Sequence, residues 1–404
     1  MTHTSGSTTA APAHTSLKKI LRGDTPVLLV HKSVQAAQRL DEVFGQLAVL
    51  HGKNLGVGTV IRLPGMSSAA ASRYMSSHSS IPLRFVDPEL HLNPAGDWPD
   101  APAMSASAMA WPYLTGLPTK PTAAWIKQVL EVQSDHGATV HLSASGWVSE
   151  VNGRKSLDAA MLFVKESRQS LGNEPMFVNL TLDSRWLSDS ALRELLLQEM
   201  VESNEKRWYL RFYWPEVSPR YGQLVDEALL RGYKELSAVA AAEGKQLYLP
   251  NSGLTGWIAT ALGATGFSTG QSWPEQAFAR QRRAGGRAGQ PPPPRIPRLF
   301  DSTLLHTVEF AESVRLRGFT GHKHYDSAFS LEIDAAGHDS KTASLHYLMA
   351  VGRMQARLNI ARPNIGALKR ARKGSAFLKS LNRVDRPAGL NRAEQLPVWE
   401  SILR

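Results

Sequence analysis

Three aspartates in this 404-residue chain stand at the ends of short apolar runs: Asp87 (LRFVD), Asp183 (MFVNLTLD) and Asp301 (PRLFD). Glu216 follows a fourth run, WYLRFYWP. Carboxylates held in unlike environments can divide acid and base roles. Asp87 and Asp183, with Glu216 third, are therefore the candidate catalytic groups, for hydrolysis or glycosyl transfer. Each aspartate precedes Pro or Ser, a setting that equally suits turn formation or helix capping. Lys32 closes PVLLVHK, where an amine could hold an anion or form a Schiff base. Asn251 closes QLYLPN. The turn Ser268-Thr269-Gly270-Gln271 precedes a helix-like start at Pro274, an arrangement that can offer backbone N–H groups to phosphate. Arg280, Arg282, Arg283 and Arg287 follow closely. The chain has no Walker motif and no GxGxxG.

The elements that would position these groups are apolar runs separated by helical patterns. Pro26–Lys32, Leu83–Asp87, Ala138–Ser143, Met176–Asp183, Trp208–Tyr213, Gln246–Asn251, Ala264–Ser268 and Pro297–Asp301 read as buried parallel strands, each apolar and then polar at its carboxyl end. Eight such strands alternating with helices predict an α/β fold, a (β/α)8 TIM-type barrel, with its chemistry at the strand carboxyl ends. The reading places a disordered lead-in at 1–18, the barrel at 19–316 with a basic loop insertion at 277–296 after the seventh strand, and a basic C-terminal helical extension at 317–404. Residues 88–121, rich in Pro and Trp, would cover the active face.

Composition narrows the function classes. With no cysteine, disulfides, thiolate zinc sites and a Cys nucleophile are excluded. No apolar run approaches the ~20 residues of a membrane span, and the first residues lack a secretory pattern, so a cytoplasmic protein without a membrane partner is expected. The net charge of +11 is concentrated: 277–300 holds six arginines and no acid, and 362–404 holds ten Lys/Arg against three acids. The remainder is close to neutral. Localised basic segments meet phosphate or an acidic surface, so RNA, DNA or a protein partner is expected; solvated flexible stretches are the plainer alternative. No cofactor is indicated.

Histidines gather in His322-Lys323-His324-Tyr325-Asp326, with His338, Asp339 and His346 downstream. His322, His324 and Asp326 are ligand types for a divalent ion, but their spacing lacks a helical pair, and ordinary loop histidines fit it as well. From Gln246 to Leu358 the order LYLPNSG, helix, LGATGFSTG, basic insertion, His-bearing segment and helix resembles the late part of tRNA-guanine transglycosylase-type barrels. The resemblance implies a (β/α)8 barrel and base exchange on nucleic acid. The family's Cys-x-Cys-x2-Cys zinc segment corresponds to His322–Ser327, which holds no cysteine. Its DSGGFQ motif corresponds to Asp87-Pro88-Glu89, and its nucleophilic aspartate to Ser268 or Gln271. These departures imply a lost zinc site. Together the readings give a transglycosylase-like transferase or hydrolase acting on a nucleic-acid or phosphate-bearing substrate, or else a non-catalytic barrel scaffold.

Overall fold

The computed structural model describes residues 14–32, 39–92, 111–114, 118–214, 222–271, 275–279 and 296–404. The chain folds as a (β/α)8 TIM-type barrel. Its wall is built from β1 (Val27–His31), β2 (Gly56–Arg62), β3 (Leu83–Asp87), β4 (His141–Leu142), β5 (Trp147–Val148), β6 (Met176–Asp183), β7 (Arg207–Tyr213), β8 (Gln246–Leu249) and β9 (Gly266–Thr269). Here β4 and β5 pair with successive parts of β6 and together fill one position of the wall. All neighbours are parallel, and β1 pairs with β9. The ring closes between β3 and β4 by a bond from Thr139 N–H to the Arg84 carbonyl (3.0 Å) and one from Arg84 N–H to Thr139 Oγ1 (2.8 Å).

One expected strand lies elsewhere. Arg298–Asp301 (β10) does not enter the wall; it forms an antiparallel hairpin with β11 (His306–Glu309). The missing position is taken by Gly56–Arg62, and the last wall strand is the 266–269 run. Gly58 shows why the second strand reads weakly. A Cβ there would lie 2.5 Å from Leu29 Cδ2 and 2.8 Å from the Leu83 carbonyl, so the barrel interior excludes an apolar side chain at that point. Gly residues weaken a strand pattern, whereas Leu299-Phe300 imitates one.

Alternation along each strand sorts side chains between two cores. Val27, Leu29, Val60, Leu83, Phe85, Phe177, Tyr209 and Tyr248 fill the lumen, and Ile20, from the short helix α1 (Leu17–Ile20), joins them at the strands' amino ends. The opposite faces pack under the helices in one large outer core. The wall helices are α2 (Leu40–His51), α3 (Ser68–Ser77), α4 (Ala123–Asp135), α5 (Gly153–Leu171), α6 (Arg185–Ser188), α7 (Ser190–Glu202), α8 (Glu227–Ala242) and α9 (Gly253–Ala261). After α10 (Phe310–Arg317) and α11 (Ala328–Ala336), α12 (Ser340–Ala356) packs on β1 and α2. Its Gln355 Nε2 donates to the Val27 carbonyl (3.1 Å), so this late helix completes the outer ring. The basic C-terminal segment is helical: α13 (Pro363–Ser380) packs on α9, and α14 (Gln395–Ile402) on α8 and α13. No helix among the described residues is long and apolar enough to cross a membrane.

Candidate active site at the barrel mouth

Because Phe177 and Tyr209 face the lumen, every second residue beyond them does too. That parity carries Asn179, Thr181 and Asp183 of β6, and Arg211 and Tyr213 of β7, into the upper lumen. His31, Arg62 and Asp87 end their strands on the same side, and Ser268 stands one residue before the end of its own. The lower lumen is apolar and aromatic; the upper lumen is polar and charged.

The centre of this layer is an ion pair. Arg211, 1% exposed, reaches the fully buried Asp87 through Nη2 and Oδ2. Asp87 Oδ1 accepts the Glu89 N–H (2.9 Å). Arg211 Nη1 donates to His91 Nδ1 (3.3 Å) and Thr181 Oγ1 (3.4 Å). Burial disfavours the Arg211 charge, but Asp87, with Tyr209 and Glu89, outweighs it and raises the pKa. Glu89, at φ 47°, turns back to pair with Arg62. Desolvation, with repulsion from Arg62 and Arg211, holds His31 and His91 well below their ordinary pKa, so both rings are neutral at pH 7. Asp87 is thus consumed in a structural pair, with both oxygens engaged and no exposed surface for a substrate.

Asp183 is placed differently. Register pairs Thr181 with Arg211 and Asp183 with Tyr213, so Asp183 stands one inward layer nearer the opening, about 6.6 Å along the strand. Its side chain keeps 13% exposure. Desolvation raises its pKa, partly offset by the Arg185 N–H that donates to Oδ1 (2.8 Å). Aromatic rings surround this level: Tyr213 meets Phe278 (5.5 Å between centroids) and Trp147 (6.4 Å), and Phe278 meets His91 (5.2 Å). The Arg211 guanidinium lies 5.6 Å from the Phe278 ring. Several buried polar atoms of this chamber have no partner among the described residues: His31 Nδ1, Asn179 Oδ1, Arg211 Nε and both amide atoms of Gln271.

The expected phosphate turn is internally satisfied. Ser268 Oγ bonds His31 Nε2 and the Asn251 N–H, both at 2.6 Å. Thr269 faces the outer layer, bonded to Tyr347 OH (2.9 Å). The Gly270 N–H donates to the Glu275 carbonyl (3.1 Å), and a Cβ on Gly270 would lie 2.1 Å from Glu275 Cβ. These three residues leave no backbone cradle for an anion, and only Gln271 of the four retains open bonding capacity. Asn251, at φ 51°, shapes a turn: its carbonyl accepts the Phe278 N–H (2.9 Å). Lys32 turns outward, its Nζ 5.8 Å from the Tyr74 ring, and desolvation lowers its pKa against the pull of Glu275. Glu216, Arg280, Arg282, Arg283 and Arg287 lie outside the described residues.

The hairpin removes Asp301 from the mouth's strand ends. It is fully buried, bonded to His322 Nε2 (2.7 Å) and to the N–H groups of Thr303 (2.8 Å) and Leu304 (2.9 Å). His322 is spent on that bond. His324, Asp326 and Asp334 bring three ligand atoms within 4.8 Å of one another, but Arg317 already holds both oxygens of Asp334, at 2.8 and 2.9 Å.

The strand-end reading missed His31, Arg62, Asn179, Thr181 and Arg211. Their signal was parity: Asn179, Thr181 and Asp183 recur at every second position of one strand, and Arg211 shares its strand's inward face with Tyr209. Neither a protein-family model nor a curated protein matches the sequence.

Proposed function

We propose that the barrel mouth is an active site for a substrate carrying a nucleobase, with Asp183 as the proton-transferring carboxyl in glycosyl-bond hydrolysis or base transfer. The single observation that carries this reading is the setting of Asp183. It is a half-desolvated carboxyl with a raised pKa, at the opening of a polar lumen, beside Trp147, Tyr213 and Phe278. A carboxyl kept protonated nearer neutrality can donate a proton to a leaving base, and aromatic faces stack planar rings. The unpartnered amide and guanidinium atoms of Asn179, Gln271 and Arg211 supply the donors and acceptors that base edges require. Glu216 is the second carboxylate the sequence offers. Asp87 acts here through Arg211, as a positioning group. The likeness to transglycosylase-type barrels and the concentrated positive charge support a nucleic-acid or phosphate-bearing substrate of the same class.

Equilibrium titration with nucleosides and their monophosphates, followed by tryptophan fluorescence and by release of free base, tests the reading. Saturable binding and base release, with release lost and binding kept in Asp183→Asn, is the expected result. Absence of binding by every nucleoside would overturn it. A second reading, a non-catalytic scaffold, is favoured by the sealed Asp87–Arg211 pair and the filled 268–270 turn. Binding without any turnover would select it.

A further inference from the structure

A cavity of about 210 Å³ lies on the outer wall, between α9, the carboxyl end of α12 and the Gly366–Lys373 part of α13. Met354 on its lining directly precedes Gln355, which bonds the first residue of β1. The cavity is therefore beside the strands' amino ends, away from the mouth. The nitrogen-bearing side chains of its lining are all donors. Arg357, Lys369, Arg370 and Lys373 surround it, and none of the four forms an ion pair with a described carboxylate. Lys369, Arg370 and Lys373 fall on one face of α13 through helical spacing. Trp257, 1% exposed, forms part of the wall, and its indole N–H has no acceptor among the described residues. Arg370 gives one Nη2 bond to the Ser302 carbonyl (3.2 Å) while its Nε–H is buried without a partner.

We infer that this cavity is a binding site for one phosphate group, distinct from the barrel mouth. Four cations without an ion-pair partner crowd one another, and an anion among them relieves that crowding while satisfying the idle Trp257 and Arg370 donors. At Arg370 burial, joined by repulsion from Arg357 and Arg353, lowers the pKa to about 10 against the pull of Asp301. The volume suits a phosphoryl or pyrophosphoryl group rather than a whole nucleotide, since pockets for larger ligands run from roughly 300 Å³ upward. The phosphate can be a free anion or one unit of a nucleic-acid backbone.

Calorimetric titration of the full chain with inorganic phosphate, pyrophosphate and a short single-stranded RNA, at constant ionic strength, tests it. One saturable site for pyrophosphate is expected, with affinity at least tenfold weaker in the Lys369→Gln/Lys373→Gln double variant. Both lysines are exposed, so the variant keeps its fold. Lys379→Gln, an exposed cation of the same helix beyond the cavity, should change affinity less than twofold. RNA that displaces pyrophosphate with higher affinity identifies a backbone phosphate; RNA that fails to compete identifies a free anion. Lack of saturation by all three probes, or equal affinity in wild type and double variant, overturns the site.

Discussion

Arg211 and Asp87 come from strands three positions apart around the ring, and their side chains meet across the lumen. The bond ties opposite walls of the barrel together and closes the floor beneath the mouth. Both groups are almost wholly buried, so each depends on the other for its charge.

Arg211→Met leaves Asp87 buried without its cation and should cost about 3–5 kcal/mol of unfolding free energy. The double variant Asp87→Leu/Arg211→Met should recover most of that loss. Urea denaturation of the four members of this cycle measures the coupling. Additive losses would show that the pair is not coupled in the folded protein.

Asp183→Asn keeps the bond to the Arg185 N–H and removes the charge. Desolvation raises the Asp183 pKa, so the folded state binds more protons than the unfolded one above the ordinary value near 3.8. Wild-type stability should therefore fall as pH rises through the raised folded pKa, and the variant should lack that fall. Melting curves of both proteins from acid to neutral pH make the comparison, and identical pH profiles would contradict it.

His346 is held neutral inside the protein. It donates from Nε2 to the Phe300 carbonyl (3.2 Å), accepts from Ser327 Oγ at Nδ1 (2.8 Å), and burial lowers its pKa to about 4. The unfolded chain takes up this proton near 6.5, so stability is full above that pH and is lost as pH falls toward 4. The loss is of order 3 kcal/mol. His346→Gln should flatten this acid limb, as read by denaturant titration at pH 4.5 and 7.

Neutralising Arg280, Arg282, Arg283 and Arg287 together should flatten the salt dependence of RNA or DNA binding, by about one slope unit for each lost phosphate contact. Filter-binding isotherms between about 50 and 200 mM salt supply the slopes. Unchanged slopes would remove nucleic acid as the partner of this segment.

The amino-acid sequence alone determined the barrel and most of its wall. A strand buried on both faces must be apolar along its length, and seven runs show that pattern, ending where the chain leaves the core. Helix starts were equally local: Thr122, Asp189, Asp226 and Asp339 accept the backbone bonds that their residue types suit. Tertiary structure decided which run fills which place. Leu299-Phe300 reads as a barrel strand, yet its partners are Val308 and Thr307 of the next strand in the chain, whereas the glycine-bearing Gly56–Arg62 fits the wall because Leu29 and Leu83 leave no room for a side chain. The same division separates Asp87 from Asp183. Both end apolar runs, and their local sequences carry no sign of which one will be consumed. A cation on a strand 124 residues away claims Asp87, while register lifts Asp183 one layer toward solvent. Burial against its own neighbours is a local property that a run of residues encodes; the partner that neutralises a charge across a lumen exists only once the ring has closed.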